Sequence, residues 1–143
     1  MLSPTNLSLS TNGGRLSYLE PNDIKSLYND LTVLETLVFS SQMRQEIGSM
    51  NHDGVGDGTE EGQPAELAVL RLLTDMGFKD WAETKVGDLA RWQKRMVLFA
   101  TEAVAGKDAL FFDMPTVDLD APSALALVTS LQRAAKGGRM VAT

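Results

Sequence analysis

The run Ala109-Leu110-Phe111-Phe112-Asp113-Met114-Pro115-Thr116-Val117-Asp118-Leu119-Asp120 holds the residues best placed to do chemistry. Four apolar residues end in an aspartate, and a Pro-Thr turn and a Leu-Asp pair follow. The pattern predicts a buried parallel strand carrying a carboxylate to the rim of a sheet, where α/β domains meet their ligands. A carboxylate there can hold a magnesium ion on phosphate oxygens. Met114, its neighbour, has no group that takes a proton from water. Other chemistry-bearing residues are few. The chain has no cysteine, which excludes disulfides, thiolate metal sites and cysteine nucleophiles. The single His52 has no partner at ligand spacing and reads as a solvated loop residue. Asp53 and Asp57 with Gly58 lack the spacing and the distal glutamate of a calcium loop.

These residues need a scaffold, and 143 residues suit one domain. A net charge of −6 gives no basic footprint for nucleic acid. The N-terminus lacks the basic and apolar regions of a secretory signal, and no stretch approaches the roughly 20 apolar residues that cross a bilayer. Taken alone, the chain reads as soluble or peripheral.

Residues 1–14 are polar and predict a turn or a frayed end. Arg15 to Leu19 alternates like a short strand, and Pro21-Asn22-Asp23 breaks it. Thr32 to about Ile47 reads as a helix. Thr32 and Glu35 form its capping box, and Leu34, Leu37, Val38 and Ser41 share one face. Gly48 to Pro64 is rich in glycine and acid and predicts a mobile surface insertion. Ala65 to Met76 is a second helix, with Val69, Leu72, Leu73 and Met76 inward and Gly77 as its stop. Asp88 is positioned to cap a third, running to about Ala105, that turns Leu89, Trp92, Met96, Phe99, Ala100 and Ala103 to a core. A strand over 109–113 follows. A fourth helix, about 121–136, has Asp120 as its cap, Pro122 in its first turn and Leu125, Val128 and Leu131 inside. Gly137-Gly138 ends it, and 139–143 reads as another buried strand, giving a parallel strand–helix–strand crossover.

In this order the segments resemble the ATP-binding cassette of ABC transporters, most closely the G-type (White/pleiotropic-resistance) half transporters. Leu31-Thr32-Val33-Leu34-Glu35-Thr36-Leu37-Val38-Phe39-Ser40 is similar to the family's "LTVRETLxFSA" helix. Thr84-Lys85-Val86-Gly87 and Leu89-Ala90-Arg91-Trp92-Gln93-Lys94-Arg95 stand where "LSGGERKR" is expected. Phe112 to Asp120 corresponds to "LDEPTSGLD", the Walker B strand and D-loop. The helix and strand after it match those leading to "TIHQP". The resemblance implies an α/β fold: a partial P-loop NTPase-like (RecA-like) parallel sheet with an inserted helical subdomain. Its parts are a Q-loop strand and loop region at about 15–31, a helical subdomain with the signature-like segment at 32–106, and the Walker B strand, D-loop, helix and final strand at 107–143.

The resemblance also assigns roles. Asp113 would face magnesium, and Gln93, Asp113 and Asp120 would lie at nucleotide-contacting positions, so Mg-ATP is the implied cofactor. The implied partners are a transporter transmembrane domain and a second cassette, at the cytoplasmic face of a membrane. Several of the family's working groups differ here. Pro21 stands at the Q-loop glutamine, Ala90, Arg91 and Trp92 replace Ser-Gly-Gly, and Met114 replaces the catalytic glutamate. No G-x-x-x-x-G-K-[ST] loop occurs in the 143 residues. Signature glycines let phosphate come close to a helix N-terminus, and large side chains obstruct that approach. Losing a positioned base costs roughly 10²–10⁴-fold in rate. The expectation is a degenerate cassette fragment with lost or impaired hydrolysis. A non-catalytic module that docks on a transporter or a second cassette, through Met43, Met50 and Trp92, is the alternative, as is a truncated product with no function.

Overall fold

The computed structural model describes residues 16–50, 64–105, 109–136 and 140–142. Strand β1 (Leu16–Leu19) runs into a 3-10 turn over Pro21–Ser26. Helices α1 (Val33–Met50), α2 (Ala65–Met76) and α3 (Arg91–Val104) then form a helical unit before β2 (Ala109–Phe112). Helix α4 (Ala121–Lys136) and β3 (Met140–Ala142) complete the described chain. The sheet is parallel in the order β1-β2-β3, with Leu16 opposite Ala109 and Ala109 opposite Met140. The predicted partial α/β architecture is therefore present, and β2 occupies the middle of the described sheet.

The expected capping box starts α1: Thr32 N–H donates to Glu35 Oε2 at 2.8 Å and Glu35 N–H to Thr32 Oγ1 at 3.1 Å. The helix continues to Met50, past the expected end near Ile47 and into the stretch read as an insertion. Residues 51–63, with His52, Asp53 and Asp57, lie outside the described residues. Its buried stripe is Val33, Thr36 and Leu37, while Leu34, Val38 and Ser41 are half-buried at its edge.

Helix α2 matches its prediction in both ends and in all four buried residues. Gly77 stops it at φ +80, a left-handed conformation that costs a residue with a Cβ roughly 1–2 kcal/mol.

Helix α3 departs from expectation. It begins at Arg91 with Ala90 as its N-cap, not at Asp88. Val86–Asp88 forms a separate 3-10 turn because its backbone is engaged by the segment before α1. Val86 N–H donates to Leu31 O and Gly87 N–H to Asn29 O, both at 2.9 Å. Leu34 N–H reaches Ala82 O at 2.9 Å and Val33 N–H reaches Thr84 O at 3.0 Å, so a main-chain clasp joins the starts of α1 and α3.

Helix α4 has the predicted ends but a different inner face. Leu127, Ser130, Leu131 and Ala134 are buried, whereas Leu125 is 68% and Val128 39% exposed. The sequence holds two overlapping apolar stripes, and packing on α2 and α3 selects the one with the smaller side chains. Asp120 contributes its carbonyl, which accepts Ala124 N–H at 2.9 Å, rather than a side-chain cap.

One core spans both parts of the fold: Leu37, Leu73, Met76, Met96 and Phe99 from the helices join Leu110 and Phe112 of β2 and Leu127 of α4. Arg95 lies among them at 2% exposure. Its Nη1 donates to Pro115 O at 2.6 Å and to Val117 O at 2.7 Å, fastening α3 to the turn after β2. An Arg95→Leu substitution strands both carbonyls, and we expect a loss of about 3 kcal/mol in urea unfolding. Arg91→Leu, one turn earlier and exposed, should change stability by less than about 0.5 kcal/mol.

Candidate functional site

The rim beyond β2 is built by main-chain bonds before any side chain acts. Asp113 N–H donates to Leu19 O at 2.9 Å, which carries the β1–β2 pairing one residue past the strand. The Asp113 carboxylate emerges exposed at that point. Tyr18, opposite Phe111 on β1, reaches it. The hydrogen bond to Asp113 raises the Tyr18 phenol pKa above its ordinary value, with smaller contributions from burial and from the charges of Asp113 and Glu20.

Beyond Asp113 the backbone doubles back. Val117 N–H donates to Met114 O at 3.1 Å and Leu119 N–H to Thr116 O at 3.2 Å. Met114 has φ 41 and Asp118 φ 58. Aspartate visits this left-handed region readily, but for methionine it is a strained conformation that surrounding contacts must hold. The Arg95 bonds on Pro115 O and Val117 O supply that hold. Met114 is 63% exposed, at the mouth of a cleft of about 530 Å³ lined by Asp113, Pro115, Thr116, Val128 and Gln132.

The signature-like segment makes different contacts. Gln93 Oε1 accepts the Ala90 N–H at 2.8 Å, so Gln93 serves the start of its own helix. Arg91 is exposed, and its charge adds to burial in holding the Arg95 pKa below the ordinary guanidinium range, while Asp118 opposes both. Trp92 is half-buried and meets Trp81 edge-on, ring centroids 5.2 Å apart, and Trp81 stacks on Phe78 at 4.4 Å. Pro21 opens the 3-10 turn that follows β1.

The structure thus places Asp113 and Met114 together in one cleft, with Gln93, Arg91 and Trp92 outside its lining and Asp120 exposed just before α4. Two residues that shape the site were not foreseen. Tyr18 sits beside Asp113 through strand pairing across about two-thirds of the chain. Arg95 lies within the apolar spacing of Trp92, Met96 and Phe99, a signal that it faces inward.

Among the described residues no three His, Cys, Asp or Glu side chains converge as metal ligands. A lone carboxylate fits magnesium, which takes one or two protein ligands and completes its shell with water and phosphate. Asp113 would be that ligand. Met114 offers nothing to activate water, and the bulk of Arg91 and Trp92 at the α3 start does not suit close approach of a phosphate.

No family model matches the chain. Curated relatives are ABC transporters, G-family members among them. An uncharacterized ABC transporter ATP-binding protein/permease of Saccharomyces cerevisiae is 29% identical over 126 residues, 85% of this chain and 9% of that protein. An ABC multidrug transporter of Candida glabrata is 31% identical over 132 residues, 89% of this chain and 8% of its own length. ABC transporter G family member 20 of Arabidopsis thaliana is 29% identical over 87% of this chain and 16% of its own length. The chain therefore spans less than a fifth of the relatives it matches. Among solved structures, an ABC transporter complex subunit of Clostridium perfringens superposes with TM-score 0.63 at 18% identity, over 89% of this chain and 45% of that one. An inward-facing ABC transporter described as of metal-chelate type gives 0.60 at 13% identity, covering 90% and 47%. The fold is that of part of an ABC ATPase domain, as the sequence resemblance implied.

The Tyr18–Asp113 contact predicts a titration. With Tyr28→Phe leaving one tyrosine in the chain, absorbance at 295 nm should show a midpoint above the ordinary phenol value of about 10. Asp113→Asn should bring it back down. The raised pKa favours the neutral phenol, so the contribution of this contact to stability is complete below about pH 10 and fades as pH climbs through the folded-state value.

Proposed function

We propose that this chain, related in sequence and fold to the cassettes of ABC transporters, is part of an ATP-binding subunit coupled to export of lipophilic substrates, with impaired hydrolysis. One observation carries the reading. The three-stranded parallel sheet carries Asp113 to its rim, and exposed Met114 stands beside it, at the position that the resemblance gives to the family's base. Asp113 would hold the magnesium of Mg-ATP, which supplies charge neutralisation at the phosphates when bound. The exposed rim and its turn would position that nucleotide, and the thioether of Met114 leaves attacking water without a base.

Docking on a transmembrane domain has its own support. Tyr28, Phe39 and Met43 are 66%, 51% and 43% exposed, and they line neighbouring hollows between the 3-10 turn, α1 and α3. Three large apolar side chains gathered on one surface suit an apolar helical segment of a membrane partner. The same surface serves the alternative of a non-catalytic regulatory module. A second cassette completes the proposed assembly, at the cytoplasmic face of the membrane. Among the described residues no helix is long and apolar enough to cross one.

Mg-ATP hydrolysis by the polypeptide assembled with its membrane domain and a second cassette tests the reading. Met114→Glu should raise turnover by roughly 10²–10⁴-fold. Wild-type turnover already at the level of that variant would overturn impaired catalysis. Phe39→Asp combined with Met43→Asp should abolish co-purification with the membrane domain without changing the urea midpoint. Undiminished co-purification would remove this surface from the interface.

A further inference from the structure

A second cleft, of about 470 Å³, lies between the α2–α3 connection and α4. That size is in the range of small-molecule sites. Its lining combines three aromatic rings with two polar side chains, Ser130 and Arg133. Phe78, Trp81 and Trp92 form the stacked and edge-on series already described. Ser130 is 7% exposed and lines the cleft, and its hydroxyl, which makes no hydrogen bond among the described residues, keeps access to solvent there. Arg133, one turn along α4, lines it too and makes no hydrogen bond or ion pair among them. Its Nη1 lies 3.1 Å from where a Cβ on Gly77 would stand, so the absence of a side chain at Gly77 makes room for the guanidinium.

A hydroxyl that is reached only through the cleft can exchange its water for a ligand oxygen without loss of hydrogen bonding. A guanidinium with five free donors beside it selects for a planar anion. Indole walls favour a flat ring, by stacking or edge contact. We propose that this cleft binds a small planar aromatic carboxylate, its ring against Trp81 and Trp92 and its carboxylate accepting from Arg133 and Ser130. The site is independent of nucleotide binding at Asp113, with which it shares no lining residue.

The chain's two tryptophans both line the cleft, so their indole N–H resonances report on it directly. Titration of the full chain with 2-naphthoate should move both resonances saturably, with a sub-millimolar Kd. Arg133→Gln should weaken binding about tenfold, the size of one charge-assisted contact. Arg133→Lys, which keeps the charge but not the planar fork, should weaken it less than Arg133→Gln does, and Ser130→Ala should weaken it several-fold. The neutral 2-naphthalenemethanol should bind more weakly than the carboxylate, and equally to wild type and Arg133→Gln. Spectral dispersion of each variant confirms its fold. Absence of saturable shifts overturns the proposal. So does equal affinity of wild type and Arg133→Gln for 2-naphthoate, which would leave Arg133 as a cation that only steadies the C-terminal end of α2.

Discussion

A buried guanidinium joins the helical unit to the sheet. Arg95 enters the core from α3 and spends Nη1 on two carbonyls of the turn after β2, while its Nε has no partner. Among the described residues no carboxylate pairs with it. Burial and the nearby charge of Arg91 depress its pKa, yet a guanidinium stays charged at any physiological pH. The charge is therefore met by two backbone carbonyls, with the charge of Asp118 as a weaker, more distant aid. The turn in return is held in a shape its own residues would not choose, with Met114 in the left-handed region. The position of Asp113 at the rim depends on this hold at one end and on pairing with Leu19 at the other.

Frame and chemistry separate cleanly in this molecule. The parallel order β1-β2-β3, the capping box at Thr32 and the apolar packing of Leu37, Met96, Phe99 and Phe112 are what a cassette scaffold needs. The positions that meet nucleotide in the family carry side chains with other attachments. Gln93 closes its own helix end, Trp92 packs on Trp81, and Asp113 lies near Tyr18, whose phenol pKa it raises. Gln93 and Trp92 are thus engaged in local bonding and packing, whereas Arg91 and Met114 stand exposed.

What could be read from residues alone follows the range of the forces involved. Helix α2 was legible throughout, because one apolar stripe and one left-handed glycine decide it locally. The ends of α4 were equally clear, but its inner face was not. Leu125, Val128 and Leu131 make as good a helical stripe as Leu127, Leu131 and Ala134, and only contact with α2 and α3 chooses between them. Asp88 has the chemistry of a cap, yet the clasp to Asn29 and Leu31 turns its segment into a separate 3-10 turn. Of the candidate site, the strand and Asp113 were visible, since a run of four apolar residues ending in an acid has few readings. Tyr18 and Arg95 were hidden because their partners are distant in sequence, and a charged residue is expected in water until a carbonyl is found for it.

The pairing of β1 with β2 has a kinetic meaning. These neighbours in the sheet are about 90 residues apart, so closing that loop is entropically unrewarded until the ends meet. The three helices between them pack largely on one another, over shorter separations than the strand pairing spans, and such structure forms faster. Folding should therefore begin as a helical nucleus that shortens the effective tether, and only afterwards should the first strand find its place beside the second. In such a sequence the Asp113 carboxylate acquires its setting last, at the end of the slowest step.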